Sequence, residues 1–215
     1  MLAEVADASA DGARPGALQR RDLDVYAPLL ARLEGAGTLL VTGDAERKGG
    51  VAVGLAATAA ATGAKTALLE CDLLRPELAA TLGLAPTPGL HEYLRWTASA
   101  EQILQALVLA GPGSAGATDP LVCVVAGEPS PHGGTLLAAE SFLHAVAMLR
   151  AAYERVVVSG PSFEGDDFAL ARAAAPADAV LACVDRAAAR GRTARRLGQR
   201  LDWLGVRRAG LVVVS

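Results

Sequence analysis

Short runs of apolar residues alternate with longer segments of helical periodicity along most of this chain. The apolar runs predict β-strands at residues 38–42, 66–71, 121–125, 155–159, 179–184 and 210–214. Because these runs are continuously apolar, they are typical of strands that are covered on both faces. Helical spacing of apolar residues predicts helices between them, at residues 49–62, 98–109, 134–152, 164–174 and 187–203. This alternation predicts an α/β fold, with a doubly wound, mostly parallel sheet and helices on both faces.

The N-terminal region shows no such pattern. Residues 1–19 are rich in Ala, Gly and Asp and lack periodicity, so we expect a disordered lead-in followed by a single domain over residues 20–215. A further helix is predicted within residues 23–33, where Pro28 indicates that the helix begins or is kinked. The segment 111–120 is predicted to be an exposed loop.

Composition and charge narrow the classes of function. The 215 residues include 20 Lys and Arg against 23 Asp and Glu, a formal charge of −3, which argues against nucleic-acid binding over the whole surface. The chain lacks an apolar run long enough to span a membrane and lacks a signal peptide, so a cytoplasmic location is predicted. Cys71, Cys123 and Cys183 lie in apolar runs without metal-ligand spacing, and they are predicted to be buried free thiols.

The turn after the first predicted strand carries the candidate ligand site. In open α/β sheets, ligands bind at the carboxyl ends of the strands. A lysine in a glycine-bearing turn between a strand and a helix is typical of a loop that holds phosphate groups. The candidate cofactor-binding residues are Gly43, Arg47, Lys48, Gly49 and Gly50. The match to G-x-x-x-x-G-K-[ST] is partial, because Arg47 replaces the second glycine and no hydroxyl follows Lys48.

A second motif follows the next predicted strand, where Glu70-x-Asp72-x-x-Arg75-Pro76 places two carboxylates at the same sheet edge. The order and spacing of the segments over residues 23–214 resemble the cytoplasmic domain of bacterial tyrosine kinases (BY-kinases), a branch of the MinD/ParA-type P-loop ATPases. The strongest part of the resemblance is this segment, which looks like the family's D-x-D-x-x-R-P motif near Mg²⁺. The same register is supported by Gly89-Leu90, Leu136-Leu137 with Phe142, and Arg186 with Thr193.

The resemblance assigns roles to these positions. Lys48, Glu70 and Asp72 correspond to catalytic positions, here vestigial, and Asp72 and Glu70 would hold Mg²⁺ if it binds at all. The 15 positions from Lys48 to Gly63 match the family spacing of its phosphate-binding lysine. The alternative register, K-G-G-x-x-K beginning at Lys48, would need a second lysine where this chain has Val53.

The departures from the family pattern all weaken nucleotide binding. Asp44 and Glu46 place two carboxylates in the loop, where they would repel polyphosphate. Gly49 follows Lys48 where the family has the hydroxyl that binds Mg²⁺, and Ser159 stands where it has the Walker B aspartate. ATP and Mg²⁺ are therefore expected as cofactors only through the resemblance, with weak or no ATP turnover.

The resemblance implies a degenerate domain, or pseudoenzyme, that acts as a regulatory or scaffolding partner in capsular or extracellular polysaccharide biosynthesis or export. The implied partners are a membrane chain-length-control protein or an active kinase paralogue, which would recruit the domain to the inner face of the cell membrane. The resemblance also leaves open that the chain forms a homo-oligomer.

Two alternatives remain at this point. One is an active ATP-dependent protein-tyrosine kinase or ATPase of the same pathway. The other is a ParA-like DNA-binding positioning protein, which the acidic overall charge disfavours. That alternative would use an arginine cluster, which comprises Arg186, Arg190, Arg192, Arg195, Arg196 and Arg200. The histidines His91, His132 and His144 are dispersed and are predicted to be surface or packing residues, and Asp166 is predicted to cap a helix.

Overall fold

The computed structural model describes residues 2–5, 24–44, 48–107, 121–163, 165–187, 189–205 and 207–214. Within these residues, one sheet contains the strands β1 (Leu2–Val5), β2 (Thr38–Gly43), β3 (Thr66–Glu70), β4 (Gln105–Leu107), β5 (Leu121–Val124), β6 (Arg155–Ser159), β7 (Ala179–Asp185) and β8 (Ala209–Val214). Their order is β1-β8-β7-β2-β6-β3-β5-β4. Neighbouring strands are parallel, except that β4 is antiparallel to β5.

The helices cover both faces of this sheet. They are α1 (Ala27–Arg32), α2 (Lys48–Ala61), α3 (Leu78–Leu82), α4 (Leu90–Leu94), α5 (Ala100–Ile103), α6 (Gly133–Ala138), α7 (Glu140–Ala152), α8 (Asp167–Ala174) and α9 (Gly191–Trp203). One hydrophobic core joins the sheet to α1, α2 and α3. A second core on the opposite face joins the sheet to α4 to α9. The doubly wound α/β fold predicted from the sequence is therefore confirmed.

The six strands predicted from apolar runs are all present, with bounds that differ by at most one residue. The prediction of helix over 98–109 was wrong in its second half, because α5 ends at Ile103 and the backbone turns extended at Leu104. β4 then pairs with β5, and the Gln105 side chain fixes it through hydrogen bonds to both backbone groups of Ala85. The helix predicted over 134–152 is interrupted at Ala139, which also has extended backbone.

The prediction of a disordered lead-in over residues 1–19 is wrong for residues 2–5. Residues 2–5 form β1, which adds to the sheet beside β8 in parallel register, with Leu2 opposite Leu211. The edge of β8 offers unpaired backbone groups, and an extended apolar segment can satisfy them without a periodic pattern of its own. The remainder of the lead-in, residues 6–19, and the loop 111–120 lie outside the described residues.

The topology brings three strand ends together. β2 lies between β6 and β7, and β3 lies on the far side of β6. Ser159, the last residue of β6, is paired with Val41 of β2 and with Glu70 of β3. The carboxyl ends of β2, β3 and β6 therefore lie side by side, at the end of the sheet where open α/β folds bind ligands. Among the described residues, no helix has the length and apolar character needed to cross a bilayer.

Candidate functional site

Lys48 is the first residue of α2, and its side chain is buried at the carboxyl edge of the sheet. Its Nζ donates to Asp72 Oδ2 at 3.0 Å and to Glu77 Oε1 at 3.4 Å. The structure thus brings together Lys48 and Asp72, two of the residues singled out in the sequence. Glu77 was not predicted as a member of this group.

Asp72 is buried and holds the turn after β3 in place. While its Oδ2 accepts from Lys48, its Oδ1 accepts from the backbone N–H of Arg75 at 3.0 Å. The guanidinium of Arg75 donates in turn to the Ser162 hydroxyl in the turn after β6. Asp72 therefore connects α2, its own turn and, through Arg75, the end of β6.

Glu70 is completely buried, and backbone N–H groups surround its carboxylate. Oε1 accepts from Glu77 at 2.6 Å and Leu78 at 2.9 Å, and Oε2 accepts from Ala126 at 3.0 Å. Burial raises the pKa of Glu70, while these hydrogen bonds oppose the shift. Both residues are described, yet no ion pair within 4 Å joins Glu70 to Lys48. The structure gives Glu70 the role of fastening the start of α3 and the end of β5 to β3.

Ser159 occupies the position where the resemblance placed a metal-binding aspartate. It is fully buried, and its Oγ has no hydrogen-bond partner among the described residues. Its backbone carbonyl accepts from Cys71 at 2.7 Å. The end of β6 therefore presents a neutral hydroxyl and no carboxylate to the site.

The glycines of the candidate loop have different surroundings. Gly43 has φ +125°, and a Cβ there would overlap the backbone of Cys183 on β7. Gly49 is buried under Glu77, and a Cβ would lie 2.6 Å from Glu77 Cδ. Gly50 is exposed and has open space around its Cα. Arg47 and Glu46 lie outside the described residues, and Asp44 is exposed.

The site residues that the structure describes do not fit a bound polyphosphate with Mg²⁺. The lysine that would reach the phosphates is paired with two carboxylates of its own chain. Gly49 cannot supply the hydroxyl that the metal would need from the residue after the lysine, and Ser159 cannot supply the carboxylate that it would need at the end of β6. With both acids ionised, Lys48, Asp72 and Glu77 together carry one net negative charge, which repels further anions.

A second titratable cluster comprises His91, Glu92 and Glu128, within the described part of the chain. Glu92 Oε2 accepts from the backbone N–H of Gly89 at 2.7 Å, and Oε1 accepts from that of Glu128 at 3.0 Å. Burial acts to raise the pKa of Glu92, but these bonds and one from His91 together hold it below the ordinary value. Because both oxygens are occupied, the cluster fastens α4 to the turn after β5.

The predicted capping and basic residues are engaged in the fold to different degrees. Asp166 accepts from the backbone N–H of Phe168 and caps α8, as predicted. Arg200 pairs with Asp167, and its guanidinium lies 5.4 Å from the centre of the Phe163 ring. Arg195 and Arg196 are exposed on α9. Within this cluster, Arg200 therefore contributes to packing, whereas Arg195 and Arg196 lie on the surface.

No protein-family model matches this chain, and no curated protein matches it. Solved structures do. The kinase domain of VpsO is 25% identical, with a TM-score of 0.74 over 87% of this chain and 88% of that one. The kinase domain of Escherichia coli tyrosine kinase ETK is 20% identical, with a TM-score of 0.77 over 91% of this chain and 74% of the other.

A third similar structure is the septum site-determining protein MinD from Pyrococcus horikoshii, complexed with Mg-ADP. It is 15% identical, with a TM-score of 0.64 over 82% of this chain and 68% of that one. The fold is therefore the one found in bacterial tyrosine kinase domains and in MinD-like P-loop ATPases. This agrees with the resemblance seen in the sequence motifs.

Proposed function

We propose that this chain is a BY-kinase-like P-loop domain that has lost efficient ATP turnover and acts as a regulatory or scaffolding partner in capsular or extracellular polysaccharide biosynthesis or export. The observation that carries the loss of turnover is the buried lysine of the loop, Lys48, whose ammonium is paired with Asp72 and Glu77. The pathway and the partners rest on the similarity to tyrosine kinase domains.

The chemistry of phosphoryl transfer explains why the loss would be severe. Catalysis of this reaction depends on positioning and on neutralising charge with lysine and metal ions. Removing one such electrostatic contact typically lowers the rate by about 10²–10³-fold. This chain lacks the hydroxyl after Lys48 and has Ser159 in place of an acid, so two contacts to the metal are missing. Neither Glu70 nor Asp72 replaces them, because backbone N–H groups and Lys48 occupy their oxygens.

The proposed partners are a membrane chain-length-control protein and an active kinase paralogue. A domain without efficient turnover can still present the surface of a kinase domain, and it can therefore occupy or modify the assembly that an active kinase forms. Recruitment by such a partner would bring this domain to the inner face of the cell membrane.

Nucleotide binding is tested by thermal denaturation with ATP or ADP, with and without Mg²⁺. Ligand at one hundred times its Kd would add about 2.7 kcal/mol to the free energy of unfolding. We expect no shift in Tm for this chain, and a clear shift for the kinase domain of ETK measured in parallel. A shift of comparable size here, together with phosphate transfer from ATP, would instead support the active-kinase alternative.

The scaffolding role needs a separate measurement. The chain is mixed with a tyrosine kinase and the cytoplasmic part of a chain-length-control protein from the same organism. Binding is followed by calorimetry and autophosphorylation of the kinase by phosphotyrosine detection. We expect binding and an altered rate of autophosphorylation. Absence of both effects would reject the scaffolding role, whatever the nucleotide result.

A further inference from the structure

We propose that Glu77 acts as a built-in anion at the start of α2. Its carboxylate takes the place of a phosphate group and prevents phosphate ligands from binding to the site. The inference rests on the proposed function, because it explains how the loop came to be closed to nucleotide. It assigns a specificity-determining role to a residue that no motif marks.

The position of Glu77 is fixed from two sides. Its backbone N–H donates to Glu70 Oε1 at 2.6 Å, which anchors the residue to the buried end of β3. Its carboxylate then reaches Lys48, with Oε1 at 3.4 Å from Nζ. The Glu77 side chain is only 32% exposed. A free surface carboxylate would have neither of these restraints.

Gly49 is what allows the carboxylate to come this close. A Cβ at position 49 would lie 2.6 Å from Glu77 Cδ and 3.1 Å from Glu77 Cγ, so any side chain there would push Glu77 out. The residue after the loop lysine ordinarily carries the hydroxyl that binds Mg²⁺. The glycine at this position therefore removes a metal ligand and also makes room for an internal acid. The two departures are linked physically.

Electrostatics favour an anion at this location. α2 is 14 residues long, and its N-terminus presents partial positive charge beside the Lys48 ammonium. A buried ammonium needs a partner, and Asp72 and Glu77 provide two. Because Asp72 and Glu77 already pair with the lysine and Glu77 lies against Gly49 in the first turn of α2, an incoming phosphate must displace Glu77 or bind beside it against repulsion.

The test measures binding of inorganic pyrophosphate by isothermal titration calorimetry, because pyrophosphate reports on the anion cradle without any contribution from adenine. Glu77→Ala removes the charge and the volume of the side chain, whereas Glu77→Gln removes the charge alone. We expect Glu77→Ala to bind pyrophosphate at least tenfold more tightly than the natural chain, and Glu77→Gln to fall between them. Glu34→Gln is the matched control, because this exposed acid precedes β2 at the opposite edge of the sheet.

The tighter binding of pyrophosphate must also depend on Lys48. We expect the double variant Lys48→Met with Glu77→Ala to bind pyrophosphate no more tightly than the natural chain. If neither Glu77 variant binds pyrophosphate more tightly than the natural chain, the inference is wrong and the proposed function stands. If the natural chain already binds pyrophosphate and Mg-ATP as tightly as Glu77→Ala does, both are wrong.

A stability measurement tests the same contact without any ligand. Gly49→Ala should lower Tm in the natural chain, because the added methyl group collides with Glu77. The same substitution should lower Tm much less in the Glu77→Ala background, where the space is free. Equal effects in both backgrounds would show that Glu77 does not occupy the site, and would overturn the inference even if a Glu77 variant bound pyrophosphate more tightly.

Discussion

Glu70 shows at the residue scale how a motif position can keep its charge and change its role. Its two oxygens accept three backbone N–H groups from two separate segments, so all its contacts are with the chain itself. The buried carboxylate therefore stabilises the local arrangement of α3 and the end of β5 around β3.

We predict that Glu70→Gln destabilises the fold. The amide has one acceptor oxygen, so its NH₂ group must face at least one of the backbone N–H groups and leave that donor unsatisfied. A buried unsatisfied donor costs about 1–3 kcal/mol. Urea denaturation should show a loss of this size, with Glu34→Gln within experimental error of the natural chain. If Glu70→Gln leaves the free energy of unfolding unchanged, the three hydrogen bonds make no net contribution to stability.

Glu92 gives a prediction about pH, because its hydrogen bonds lower its pKa in the folded state. An acid with a lowered folded pKa contributes stability that is present above its unfolded pKa and is lost as pH falls through the folded pKa. The difference in unfolding free energy between the natural chain and Glu92→Gln should therefore shrink as the pH falls below 4.5, the ordinary pKa of a glutamate carboxyl group. Urea titrations across the acid range measure it. A difference that grows toward low pH would contradict the assignment.

The site residues differ in how far the sequence could predict them. The contact between Lys48 and Asp72 followed from the register of two motifs, because both lie where parallel strands end. The contact of Lys48 with Glu77 depends on the path of the turn after β3, which the Glu70 and Asp72 carboxylates fix through backbone groups. The available signal was an acid directly after Arg75-Pro76, combined with a glycine where a hydroxyl was expected.

At the scale of elements, α2 explains why small residues are concentrated after the loop. The helix is buried along nearly its whole length, from Lys48 to Ala59 apart from Gly50. Gly54 lies against the Tyr26 ring next to α1, and a Cβ there would overlap that ring. Close approach of the two helices therefore requires glycine at position 54. At position 50 a Cβ would meet no neighbouring atom within 4 Å, so packing does not require glycine there.

These two glycines form a matched pair for a prediction. Gly50→Ala adds a methyl group in open space and reduces the freedom of the unfolded chain, so it should stabilise the protein by about 0.4–1 kcal/mol. Gly54→Ala forces the Tyr26 ring or the helix to move, and overpacking of this kind costs about 1–3 kcal/mol. Thermal denaturation of both variants measures the contrast. Destabilisation by Gly50→Ala would show that this turn of α2 needs a glycine backbone.

The strands were predicted well because burial on both faces makes their sequences continuously apolar, as in Val156–Val158 of β6. The edge strands β1 and β4 were missed for a related reason. Each pairs on one side only and is three or four residues long, so backbone pairing determines it more than composition does. A short helix followed by a short edge strand has the same apolar content as one longer helix, which is how α5 and β4 were merged.

At the scale of the whole molecule, the central sheet separates two hydrophobic cores that the chain visits in turn. Cys183 belongs to the core under α2, and Cys71 belongs to the core on the other face. Both thiols are free and fully buried, as predicted. Burial raises the pKa of Cys183 to about 12 and raises the pKa of Cys71 as well, so neither forms thiolate readily in the folded state.

These thiols test whether the two cores unfold together, as expected for the single domain predicted from the sequence. Two variants, each with either Cys71 or Cys183 as the remaining thiol and Ala at the other cysteines, are exposed to Ellman's reagent at neutral pH. If the domain opens as one unit, both thiols react slowly, and at one rate that matches the rate of unfolding measured by circular dichroism. Since thiolate is the reacting form, reaction before unfolding is suppressed at both positions. Faster reaction at Cys71 than at Cys183 would mean that the layer of α4 to α9 opens independently of α2, and the sheet would then join two units of different stability.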